Sequence, residues 1–319
     1  MRKVINRETI QGRIYEHDLS VKKVQNTESE NFGQEFIGGT LDIATDEACM
    51  NIVTITYTYV VPTTKAGKTN STYTALMNII NNGKTVVVDG KDAATMVKCD
   101  TAIALNDFYV NRNGEETLVS AKRNEGGFVT IVNKLDEKED ARSTFEVDML
   151  INNVRRVEAD PEKHIDEDYL IVKGAIFNFR NAILPVEFTL RNPAGFPYFE
   201  NLEASASNMT FTKVWGQVSS LVEKTVKVEE SAFGEAQTKE YEKTVREWVI
   251  TGTSKPDSVY EIGDEEGGIT LDEIKKLLSD RETYLADIKR KRDEYEAKKA
   301  TTNTAAPAGV TAAAGGFNF

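Results

Sequence analysis

Thr, Val, Ile and Tyr alternate through "MNIVTITYTYVV", so one side of the segment is apolar and the other carries hydroxyls, the pattern of a half-buried strand. Strand-like runs begin at "FIGGTLDIA" and return in "TAIALNDFYV", "TLVSAK", "FVTIV", "TFEVDMLINNVRRVE", "YLIVKGAIFNFR", "AILPVEFTL", "MTFTKVWGQVSSLVEKTVKV" and "KTVREWVITGT". Asn113-Gly114 is a favoured pair for a tight hairpin turn between Leu105–Val110 and Thr117–Lys122. "NEGG" at 124–127 is read as a second turn, which makes this stretch a three-stranded meander. "TYTALMNIINNGKT" predicts one short helix stopped at Asn82-Gly83, and "TVVVDGKD" a strand followed by an Asp89-Gly90 turn. From Thr270 the period changes. Apolar residues at 271, 274, 277, 278, 284, 285, 288 and 295 mark one face of a long helix. Thr270 and Glu273 form a capping box, Asp272 and Glu273 suit its positive end, and Lys298 and Lys299 suit its negative end.

These elements predict a mainly β chain with a long C-terminal helix, its strands arranged as two OB-like open barrels or sandwiches. The expected order is an N-terminal arm (1–35), a β-rich domain (36–160), a second β-rich region (161–262), the helix (268–300) and a disordered tail (301–319). The break between the β regions is "DPEKHIDED", polar and Pro-containing.

Composition narrows the function classes. The 319 residues carry a formal net charge of -12, which argues against bulk attraction to phosphate or anionic lipid but leaves room for a local basic groove. No run is apolar enough for a membrane span and the N-terminus lacks an apolar signal region, so a cytoplasmic protein is expected. Cys49 and Cys99 are not spaced for zinc or a disulfide framework, and the only histidines, His17 and His164, have no partner at metal spacing. No cofactor is expected. Two Gly-Lys-Thr tripeptides, at 67–69 and 83–85, have Pro62 and Asn78 where a phosphate loop needs glycine. Catalysis is therefore not expected, and an unrecognised hydrolase or nuclease ranks last.

Aromatics interleaved with cations suggest a binding surface. Strand alternation puts Lys173, Phe177 and Phe179 on one face of their strand, and residues 173–199 hold Lys173, Arg180 and Arg191 against one acid, Glu187. The meander adds Phe108, Tyr109, Arg112, Lys122, Arg123 and Phe128, and "FTKVWGQ" adds Trp215. Such sets suit single-stranded nucleic acid, because bases stack on rings while Lys and Arg follow the backbone. The alternative for each ring is a place in a core.

The chain ends in "TTNTAAPAGVTAAAGG" and then Phe317 and Phe319. A β-rich body, a charged helix, a low-complexity linker and a terminal aromatic pair together resemble the single-stranded DNA-binding proteins of bacteria and their phages. That resemblance implies a non-enzymatic protein of phage or mobile-element type that coats single-stranded DNA. It also implies recruitment of replication or recombination proteins through the terminal phenylalanine. This tip departs from the family in having no acid besides its carboxylate. The rival is a virion or assembly protein, in which Leu278, Leu285 and Ile288 of the helix would form a contact between copies of a homo-oligomer.

Overall fold

The computed structural model describes residues 4–112, 115–163, 165–229, 237–255 and 268–304. The first five long strands in chain order are β1 (Asn6–His17), β3 (Glu35–Ala44), β4 (Ile52–Val60), β5 (Met96–Arg112) and β6 (Glu115–Ile131), with a short β2 (Ser20–Lys23) paired to β3 alone. The next five are β7 (Ser143–Val157), β8 (Tyr169–Phe177), β9 (Ile183–Leu190), β10 (Thr210–Glu229) and β11 (Gln237–Thr253).

Their pairings close twice. In the first ring β1, β5, β6, β4 and β3 follow one another and β3 returns to β1; every pairing is antiparallel except β4 with β6. In the second ring β7, β10, β11, β9 and β8 repeat that order, and again only the third and fifth strands, β9 and β11, run parallel. Helices fall at the same place in both. The segments α1 (Ser71–Asn82) and α2 (Val86–Asp89) connect the third strand of the first ring to its fourth, and α3 (Phe196–Glu200) does so in the second. The first strands of the rings pair antiparallel, Asn6 to Ile10 against Val147 to Ser143, so one sheet surface crosses the seam.

A single core cluster runs through both rings, from Ile10, Ile14 and Tyr57 to Phe188 and Trp248. A second lies at one end of the second ring, where Phe177, Ile183 and Phe211 meet Ile269 and Ile274. The latter belongs to α4 (Leu271–Thr304), which begins where predicted: the Thr270 hydroxyl accepts from the Glu273 amide at 3.2 Å. Leu277 packs on the same cluster while Leu278 stays exposed. Among the described residues no helix is long and apolar enough to cross a membrane.

The structure revises several expectations. Residues 6–17, assigned to an arm, form β1, which pairs with β3, β5 and β7. Strand β7, assigned to the first β region, opens the second ring. "NEGG" is not a turn, because β6 runs unbroken through it. Its glycines serve close approach instead: a Cβ on Gly126 would lie 2.4 Å from the Tyr57 ring. Val86–Asp89 is a helical turn rather than a strand, capped by the Thr85 hydroxyl, which accepts from the Val88 amide. Asn113, Gly114 and the tail residues Phe317 and Phe319 lie outside the described residues.

Candidate nucleic-acid interface

Each ring lays its hairpin of fourth and fifth strands beside the other ring, and the two contacts mirror each other. From β6 of the first ring, Lys122 donates to the Glu187 carbonyl on β9, the third strand of the second, at 3.3 Å. From β11 of the second ring, the Arg246 guanidinium comes within 3.5 Å of the Thr54 hydroxyl on β4, the third strand of the first. Asn51 locks the second contact, its side-chain oxygen accepting from the Ser220 amide at 2.7 Å.

Two connected hollows lie between the hairpins. One, of about 320 Å³, is walled by Thr40, Thr54 and Thr56 of the first ring and roofed by Lys122, Arg123 and Arg246. The other, of about 490 Å³, runs from Lys122 over Asn152, Lys173, Pro185 and Glu187 of the second ring. Lys122 and Trp248 line both, which makes them one cleft. The threonines point there because Val53, Ile55 and Tyr57 alternate with them and fill the core.

Charge in the cleft is uneven. Its two carboxylates are matched: Glu187 pairs with Lys173 at 2.5 Å, and Glu247 receives a bidentate clasp from Arg191 at 2.8–3.2 Å. Among the described residues no ion pair joins Lys122, Arg123 or Arg246 to a carboxylate, although Glu187 and Glu247 lie close enough to Lys122 to act on its charge. The Lys122 ammonium sits 4.9 Å from the Trp248 ring, and although much of the residue is exposed, loss of water around its nitrogen lowers its pKa. Below, the Trp248 indole donates to Glu8 at 3.2 Å, and the Thr101 hydroxyl donates to the other Glu8 oxygen at 2.8 Å. Burial pushes the Glu8 carboxyl up to about 8, so at neutral pH it is protonated and does not cancel the cations above it.

At the first-ring end the cleft leads to an aromatic pair. Arg123 reaches within 3.5 Å of the Thr58 hydroxyl. The adjacent Tyr59 is 43% exposed and lies 4.7 Å from Phe36, centroid to centroid. The Tyr59 hydroxyl donates to Gln34, which fixes the ring.

Of the residues singled out from the sequence, Lys122, Arg123 and Lys173 line this cleft, with Arg191 at its rim holding Glu247. Phe177 is a correction: at 1% exposure it is core, edge-to-face with Phe211. It and Phe179 do not share an outer face, because β8 ends at Phe177 and the chain turns. Phe179 projects from that turn at 82% exposure, with the Arg180 guanidinium 5.2 Å from its ring. Tyr109 lies beneath Lys289 of α4, Phe108 and Arg112 are exposed on the same hairpin, and Phe128 is exposed on β6. Trp215 is exposed on the outer face of β10. Sequence reasoning missed Arg246, Trp248, the Thr40–Thr54–Thr56 wall and the Phe36–Tyr59 pair. The available signals were "REWV", which places Arg246 and Trp248 on one strand face, and the alternate threonines of "TITYTYV".

The family model described as YorF matches residues 5–291. No curated protein matches the chain. Two solved structures of the single-stranded DNA-binding protein from Thermus aquaticus are similar at 10% identity, the wild type with a TM-score of 0.45 and a deletion mutant with 0.44. They cover 84% and 83% of this chain and 98% and 100% of their own. A likeness at that score carries no weight for the site.

Proposed function

The chain belongs to the YorF family, and we propose that it binds single-stranded nucleic acid, DNA in the first instance, in the cleft between its two rings. The observation that carries this reading is the set of three cations that form no ion pair among the described residues, Lys122, Arg123 and Arg246, over a threonine wall that leads to the exposed Phe36–Tyr59 pair. Cations that follow a phosphate backbone, hydroxyls that donate to it and rings that accept stacked bases are what a sequence-tolerant single-strand site needs. Each ring also repeats the pairing order of a five-stranded OB-type barrel, whose second and third strands and fourth-to-fifth-strand loop receive oligonucleotides. In this chain β3–β4, β8–β9 and the strands of the two hairpins border the cleft.

The same proposal takes the protein to be non-enzymatic and cytoplasmic. A phage or mobile-element context, and recruitment of replication or recombination proteins by Phe317 and Phe319, belong to it on the strength of the sequence alone.

The test is a titration of labelled, mixed-sequence single-stranded DNA at two salt concentrations with duplex competitor. Binding that weakens with salt and resists duplex is expected. An absence of binding at low salt would overturn the reading.

A further inference from the structure

On the sheet face opposite the cleft lies a second groove, of about 710 Å³, which also crosses the seam between the rings. Strand alternation on β1 separates the two sites: Glu8 points inward to Trp248, while its neighbours Arg7 and Thr9 line this outer groove.

The groove is built around Trp215, which is 40% exposed although it sits mid-strand among partners on both sides. A register shift at Trp215–Gly216 lets the indole lie on Gly252 of β11. A Cβ on Gly252 would stand 2.4 Å from the indole nitrogen and 2.5–2.8 Å from two ring carbons, so only glycine admits this close approach. Part of the ring system is thereby packed on backbone, and the remainder is presented to solvent.

Around the indole the groove carries Arg7, Lys138 and Lys213, with Thr9, Thr144 and Gln217 between them. Its carboxylates are Asp140 and Glu146. Glu146 holds both Arg7 and Lys213, each at 2.9 Å. Lys138 has no carboxylate partner among the described residues. Through Lys138 the groove continues into a trough lined by Lys98, Lys134, Asp136 and Glu137, where Lys134 pairs with Glu137 at 2.8 Å. An exposed indole, Lys138 and the exposed Arg7 beside it, and hydroxyl or amide groups between them form a site for a strand with unpaired bases.

We propose that this groove is a second binding segment for the same single strand, with a base stacked on Trp215 and phosphates on Arg7 and Lys138. A strand long enough to leave the cleft would pass around the seam to reach it. The inference rests on the cleft reading given above.

The chain has two tryptophans, Trp215 in this groove and Trp248 under the cleft, so intrinsic emission reports on both faces. Oligothymidylates of about 8 and about 32 nucleotides bracket the capacity of one and two OB-type sites. The long strand should quench an emission component that Trp215→Phe lacks, and the short strand should leave that component unchanged. Trp215→Ala should lower the ratio of long- to short-strand affinity about 5- to 150-fold, the worth of one stacked base. Should the alanine variant fail to fold, the quenching difference between wild type and Trp215→Phe still decides.

Three results would overturn the inference. One is a Trp215 component that the long strand does not quench, with the affinity ratio unchanged; the cleft reading then survives. Another is a component that changes with protein concentration alone, which would make the groove a contact between copies. In the third, neither length binds the wild type, and the cleft reading falls as well.

Discussion

In the first ring the strands bordering the cleft offer Thr40, Thr54 and Thr56, and its hairpin offers Lys122 and Arg123, which form no ion pair among the described residues. The equivalent strands of the second ring offer Lys173 and Glu187, which satisfy each other, and Arg191 is spent on Glu247. The pairing order is the same in both, yet one surface is left open to an incoming anion and the other is largely neutralised from within. The second ring is also the one that carries α4. Its Arg281 reaches Asp107 on the first ring's hairpin at 2.9 Å, with the two side chains 10% and 2% exposed. Further along α4, Arg292 and Lys289 both grip Glu116 at the hairpin's far end. The contrast suggests a division of labour in which the second ring and its helix hold the hairpin that carries the first ring's cations.

The strongest way to break this comparison is to cut the helix contact. Arg281→Ala leaves Asp107 buried with, among the described residues, the Ser120 hydroxyl as its side-chain partner, and should cost about 3 kcal/mol of stability. Denaturant unfolding measures it, and a loss below about 0.5 kcal/mol, the scale of an ordinary surface change, would mean that α4 does not hold the hairpin.

The seam itself offers a test of comparable size. The folded Glu8 carboxyl titrates at about 8, well above its ordinary value of 4.5. Between those values the folded chain keeps a proton that the unfolded chain releases. This group's contribution to stability is therefore complete below pH 4.5, falls as pH rises and is gone above about 8. Across that window the change is on the order of a few kcal/mol. Glu8→Gln should lose this dependence, so the melting temperature of wild type relative to the variant should fall between pH 5 and pH 9. Parallel profiles would show that Glu8 is not held protonated.

The smallest effect sharpens the comparison most directly. Replacing Arg123 and Arg246 with Ala should lower the slope of log affinity against log salt by about 1.4, two phosphate contacts on a single strand. The matched double variant in the second ring, Lys173→Ala with Glu187→Ala, removes a self-satisfied pair and should leave the slope unchanged. Equal effects from both would remove the distinction between the rings.

The local period of the chain was enough to find α4, its Thr270 cap and most strands, because backbone pairing and amphipathic burial both leave a repeat in the sequence. Glycine was ambiguous by nature. Gly126 and Gly127 read as a turn, but they let Tyr57 and the Asp100 carbonyl approach β6. Phe177 was ambiguous for a different reason: alternation says which residues share a face, not which face will be covered. Its cover comes from Phe211 and from Ile269 and Ile274, far along the chain.

The cleft was the least legible part. Lys122 and Arg123 could be picked from the sequence, but Arg246 joins them only because β11 closes the second ring and leans on β4. By itself, then, the sequence determined most of the element types, the long helix and the presence of aromatic and basic side chains on strands. The tertiary structure decided which strands close into rings, which aromatics are buried and which cations keep no acid. Those outcomes depend on pairings between distant segments, and a local repeat cannot encode them.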